Sequence, residues 1–154
     1  LNAYGIYTRG NFTLSAVDTK VYIMKDAIVD ISYDGFRKGD ILIMGAAEVT
    51  IELKDNTYAN VSIHNEADVT IDIQSQAIAE VFCRDDATVD ITTESDSMLK
   101  LLSRGKSIIT LAAIDNSYIR AKTHQFSSLT YSVDDAAVVV STIYNSSTIN
   151  EVAP

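Results

Sequence analysis

Proline is all but missing from this sequence: of 154 residues only Pro154 is one. Cysteine occurs once, at Cys83, so no internal disulfide can form. Basic residues are scarce, with 12 Lys and Arg against 21 Asp and Glu and a formal charge of -9. Nucleic acid is therefore not expected as a partner, because phosphate neutralisation needs clustered cations. An anionic membrane surface is disfavoured for the same reason. No apolar run approaches the roughly 18 to 20 residues of a membrane-spanning helix. The six glycines are scattered, which leaves no Gly-rich phosphate loop. The chain opens on Leu1 without a signal-peptide pattern, as expected of a chain whose leader has been removed or of a piece of something longer.

What is present is a repeat. Written in blocks of ten, the columns align from about residue 27 to residue 149 without insertion. Numbers ending in 7 carry small residues such as Ala27, Ala47, Thr57, Ala67, Ser97 and Ser127, with Arg37 the exception. Numbers ending in 9, 1 and 3 are mostly apolar, as in Val49-Ile51-Leu53 and Val69-Ile71-Ile73. Apolar residues at every second position mean a strand with one face buried. Numbers ending in 5 hold Gly35, Gly45, Asp55, Asn65, Ser75, Asp85 and similar residues. These tolerate left-handed backbone or bond to nearby main chain, which suits tight corners. Identical strand-and-corner units stack in parallel, and the dearth of proline fits strands whose N–H groups all pair. The expected fold is all-β: a parallel β-solenoid of seven-residue strands and three-residue corners.

Ten residues make one side of a coil, and the ninth column favours two sides with about twenty residues per coil. Val29, Val49, Val69 and Val89 alternate with Gly39, Ala59 and Ala79, so a larger residue meets a smaller one across a thin core. The alternation fades after Leu99. The expected organisation is an N-terminal cap or docking segment over residues 1–16, a solenoid over 17–150 and a tail over 151–154. Outward positions then separate two faces. One is solvated, carrying Glu48, Thr50, Glu52, Asp68, Thr70, Asp72 and Asp90. The other carries Tyr22, Leu42, Tyr58, Ile78, Phe82, Met98, Leu102, Tyr118 and Val138, with Val140 and several Lys and Arg among them. An apolar and aromatic strip of that size marks an interface, for self-association or for a neighbouring structural protein. The competing expectation is that Leu1 to Ser15 covers it.

Catalytic chemistry finds little support. No Ser-His-Asp or Cys-His arrangement is present, and no cofactor is expected. His64 and His124 occupy equivalent corners three coils apart, about 14 Å by strand spacing, too far to share a metal. Cys83 falls in an inward column and reads as a core residue. Glu48 with Asp68, and Glu52 with Asp72, would stack about 5 Å apart, a separation that suits a retaining glycosidase or a shared cation. An acidic solvated face produces such pairs readily, and no flanking Arg, Lys or Tyr on that face completes a substrate site. Thr50, Thr70, Thr110 and Thr130 form a partial hydroxyl column of the ice-binding kind, which Glu52, Asp72 and Asp90 interrupt.

The Ala/Ser-x-Val-x-Ile-x-Ile-x-Asp/Asn/Gly unit over roughly residues 17 to 149 resembles the broad class of β-solenoid proteins. Solenoids of this kind recur in bacteriophage fibres, spikes and decorations, in bacterial surface adhesins and in bactofilin-type filaments. The chain looks most like the phage virion type, which implies a non-enzymatic structural module on a virion or cell surface. Two alternatives stand beside it. One is a carbohydrate-binding or carbohydrate-cleaving domain that stacks polysaccharide on Tyr22, Tyr58, Phe82 and Tyr118. The other is a scaffold polymerising end to end through open sheet edges.

Overall fold

The computed structural model describes residues 4–15 and 20–154 and is a parallel β-solenoid of about seven turns, about 20 residues each. The described strands are β1 (Ile6–Ser15), β2 (Lys20–Tyr33), β3 (Lys38–Gly45), β4 (Glu48–Leu53), β5 (Tyr58–Ile63), β6 (Asp68–Ile73) and β7 (Ile78–Cys83), followed by β8 (Thr88–Thr93), β9 (Met98–Ser103), β10 (Ile108–Ala113), β11 (Tyr118–Thr123), β12 (Ser128–Val133), β13 (Val138–Ile143) and β14 (Thr148–Val152). The first half of β2, then β3, β5, β7, β9, β11 and β13, stack as one side, and the second half of β2 with β4, β6, β8, β10, β12 and β14 stack as the other. Every pairing is parallel, and from β2 onwards each residue lies on the one twenty positions ahead, as Ile51 on Ile71 and Ile71 on Ile91.

The regular strands run six residues rather than the expected seven, because the small residue ending in 7 belongs to the corner. Its N–H closes the turn onto the carbonyl three residues back, as Ala77 onto Gln74 at 3.1 Å. At Thr57, Ser107, Ser127 and Ser147 the hydroxyl donates to the same carbonyl, as Thr57 to Lys54 at 2.6 Å and Ser127 to His124 at 2.8 Å, whereas the buried Ser97 hydroxyl has no partner among the described residues. Every residue ending in 5 from Gly35 to Asn145 has positive φ, between 55° and 83°. Left-handed backbone costs a residue with a Cβ about 1 to 2 kcal/mol. Many corner side chains offset part of this by accepting a hydrogen bond from the rung before: Asn65 N–H donates to Asp85 Oδ2 at 3.2 Å, Ser95 N–H to Asp115 Oδ2 at 3.0 Å and Gly105 N–H to Gln125 Oε1 at 2.8 Å. A net gain of about 0.5 to 1.5 kcal/mol per bond is of the size required.

The core is one continuous column of residues ending in 1, 3, 7 and 9, buried from Val21 to Leu129 except at the exposed Arg37. In the later rungs its corners turn hydroxylic, and Thr93 with Ser117, Ser103 with Ser127 and Thr123 with Ser147 pair at 3.0 to 3.1 Å, so these buried polar groups are bonded. Beyond Leu129 the same columns, apart from the buried Ser147, are half-buried or exposed, because β13 and β14 end the sheet order.

β1 runs along both halves of β2, with Ile6 beside Tyr22 and Asn11 to Ser15 beside Ile28 to Ser32. It lies on the end of the stack and does not cover either outward face. Tyr7 and Phe12, ring centroids 4.9 Å apart, pack against the end of the core. The expected boundary at residues 16 and 17 lies outside the described residues, and β14 runs to Val152, two residues into the expected tail.

Candidate functional site

Outward positions on the β3–β13 side are residues ending in 8, 0 and 2, and stacking turns them into three columns. The first runs Tyr58, Ile78, Met98, Tyr118, Val138 in register from β5 to β13. Its last four members are 39, 45, 41 and 48% exposed, unusual for an unbroken apolar run. The third begins Tyr22 and Leu42, is interrupted at Ser62, and resumes with Phe82 and Leu102, all half-buried. All nine residues expected to form the strip therefore share one face, as two apolar rails rather than one band.

Between the rails runs a polar column whose acidic members sequence reasoning missed. Lys20 Nζ lies 3.4 Å from Asp40, and Lys100 Nζ lies 2.9 Å from Glu80. The Tyr58 hydroxyl lies 3.1 Å from Asn60 Oδ1 and 3.2 Å from Glu80 Oε1, within donating reach of both. The hydrogen bond from Lys100 holds the Glu80 carboxyl below its usual range. Partial burial, then Glu80, pushes the Tyr58 phenol up. Arg120 and Val140 complete the column. The detectable signal was the number itself: Lys20, Asp40, Glu80 and Lys100 share a last digit and a spacing that is a multiple of twenty. Asn60, Ser62, Glu80, Phe82, Lys100 and Leu102 line a shallow depression of about 300 Å³ where the third column is broken.

The aromatic rings do not form a continuous platform. Tyr58 and Tyr118 are separated by the rungs of Ile78 and Met98, and the Arg84 guanidinium lies 4.5 Å from the Phe82 ring centre. His64 meets the same ring edge-on at 6.2 Å, while His124 stacks on Tyr144 at 4.3 Å. Burial, then the charge of Arg84, pulls the His64 imidazole below its usual value.

On the opposite face Glu48 stacks on Asp68 and Glu52 on Asp72, as spacing requires. Glu52 is engaged elsewhere, 2.6 Å from Lys54 Nζ and 3.3 Å from the Ser32 hydroxyl. Among the described residues no three His, Cys, Asp or Glu side chains converge as metal ligands. Thr50 and Thr70 pair, but Asp90 follows them in the same column. Cys83 is fully buried, and burial pushes its thiol up to about 12. Comparison with protein-family models, with curated proteins and with solved structures finds no match for this chain.

Proposed function

We propose that this protein is a non-enzymatic structural module of a virion or surface appendage, a rigid rod that docks through the face of β5, β7, β9, β11 and β13. The observation that supports this most is the unbroken exposed column Ile78, Met98, Tyr118, Val138 on a fold whose every rung is hydrogen-bonded to the next. Burying such a column against a partner gains about 25 cal/mol per Å² of apolar surface removed from water. The in-register backbone keeps the partner surface flat and stiff, which suits a spacer more than a hinged catalyst.

Assemblies prepared without this chain should take up the wild-type protein and reject the variant Ile78→Glu with Met98→Glu. Normal incorporation of the variant would sink the proposal. Reducing-end release and retention on a panel of polysaccharides separate the carbohydrate alternative: the structural role expects neither, and cleavage of any member would replace it. Tail, portal or capsid genes beside the gene for this chain would favour the virion setting over the cell surface.

A further inference from the structure

The docking face is self-complementary about one particular axis. A second copy laid face to face can be related by a two-fold axis in the interface that runs either along the stack or along the strands. An axis along the stack sets each rung on its own equivalent, so Glu80 meets Glu80 and Lys100 meets Lys100. An axis along the strands keeps each column on itself but reverses the rung order. Placed between β7 and β9, it sets Glu80 over Lys100 of the second copy and Lys100 over its Glu80. The same operation sets Ile78 on Met98, Phe82 on Leu102 and Tyr58 on Tyr118, so the most apolar rungs meet at the centre. Arg120 and Lys122 of each copy then lie over Asn60 and Ser62, beside Glu80, where the depression of about 300 Å³ receives a long side chain. Moving the axis half a rung either way, onto β7 or onto β9, puts Glu80 on Glu80 or Lys100 on Lys100, and like charges face to face are strongly disfavoured.

We propose that two copies of this chain pair through this face about the two-fold axis between β7 and β9. The proposal rests on the docking role above and names the partner as a second copy. Six rungs overlap, about 29 Å by about 20 Å, which removes roughly 1,100 to 1,200 Å² from water in total. That is the lower edge of a specific interface, so the pair dissociates on dilution.

The test uses the whole chain in two measurements. Light scattering over a dilution series should show a monomer–dimer equilibrium. Glu80→Lys sets two ammonium groups against each other, the introduced one on one copy and that of Lys100 on the other, and should weaken association at least about a hundredfold. The double variant Glu80→Lys with Lys100→Glu restores opposite charges within and between the copies and should recover association to within about tenfold. In the second measurement Tyr58→Cys protein is mixed with Tyr118→Cys protein and treated with a bifunctional maleimide about 10 Å long, the spacing of packed sheets. Mixed 58–118 products should dominate, because 58–58 and 118–118 pairs lie about 17 Å apart. Buried Cys83 stays out of the reaction. A monomer at every concentration, a dimer indifferent to Glu80→Lys, or predominant 58–58 products each overturn the proposal. If the chain is a monomer yet Ile78→Glu with Met98→Glu still fails to enter its assembly, the docking role survives and only the self-pairing falls.

Discussion

The Cζ atom of Tyr33 lies 3.0 Å from the point where Gly39 would carry a Cβ, and the Tyr33 hydroxyl lies 3.3 Å from it. Tyr33 ends one strand and Gly39 is the second residue of the next, so the largest fully buried side chain fills the space that a side chain at position 39 would take. Equivalent positions on later rungs hold Leu53 with Ala59, Ile73 with Ala79, then Thr93 with Leu99 and Ala113 with Ile119. Total volume is held while the larger partner changes sides. Gly39→Ala should lower stability by about 1 to 3 kcal/mol despite the better strand propensity of alanine, because the Tyr33 ring must move. Combining it with Tyr33→Leu should cost less than the sum of the two changes in a denaturation cycle. Strict additivity would show that the two side chains do not compete for this space.

Corner acids are placed for their oxygen atoms and their tolerance of left-handed backbone. Asp115, at φ 59°, accepts from Ser95 N–H at 3.0 Å. Asp115→Asn keeps an oxygen there and should shift stability by no more than about 0.5 kcal/mol. Asp115→Ala loses the bond and retains the strain, and should cost about 1 to 2 kcal/mol. Indistinguishable denaturation midpoints for the two variants would contradict this role.

His64 links stability to acid. Its folded pKa lies below the ordinary value of 6.5, first because of burial and then because of Arg84. The unfolded chain therefore takes up the proton at higher pH than the folded one. Stability from this group is complete above pH 6.5 and declines as pH falls through the folded pKa. The imidazole proton resonance of His64 should titrate below 6.5, and Arg84→Ala should raise the midpoint only part of the way back. A midpoint above 6.5 would reverse the assignment of causes.

Cys83 offers a direct probe of global opening. Fully buried, with its thiol pushed up to about 12, it should resist a disulfide reagent in the native state and react only as the solenoid opens. The labelling rate should therefore rise in step with denaturant. Native labelling at the rate of an exposed thiol would place Cys83 outside the core.

Much of this architecture is legible in the sequence because its demands are local. Alternation fixes in and out, and the residues ending in 5 mark the corners through their backbone conformation alone. The sequence displays the size compensation between residues ending in 9, whereas Tyr33 and Gly39 show that it runs around the corner from a residue ending in 3. That is why the alternation of Val with Gly and Ala fades at Leu99, where Thr93 has become the smaller partner. β1 escaped the repeat because its register on β2 shifts between Tyr7 and Arg9, beside Gly10 at φ 93°. The nine strip residues were found from their apolar character, but the charge ladder between them appears only when positions twenty apart are stacked. Glu80 looks like any surface acid until it is set beside Lys100.

The docking face, the charge ladder and the pairing axis all depend on the in–out register of the central rungs. Ile71 is fully buried between Ile51 and Ile91, while its neighbour Asp72 points outward. Each rung contacts only its neighbours, so damage at this point severs the stack. The most direct measurement is the chemical denaturation of Ile71→Ala beside Asp72→Ser. Ile71→Ala should cost about 2 to 5 kcal/mol and move the midpoint sharply, while Asp72→Ser should stay within about 0.5 kcal/mol of wild type. Equal effects, or the reverse order, would contradict the register and with it every outward residue assigned to the docking face.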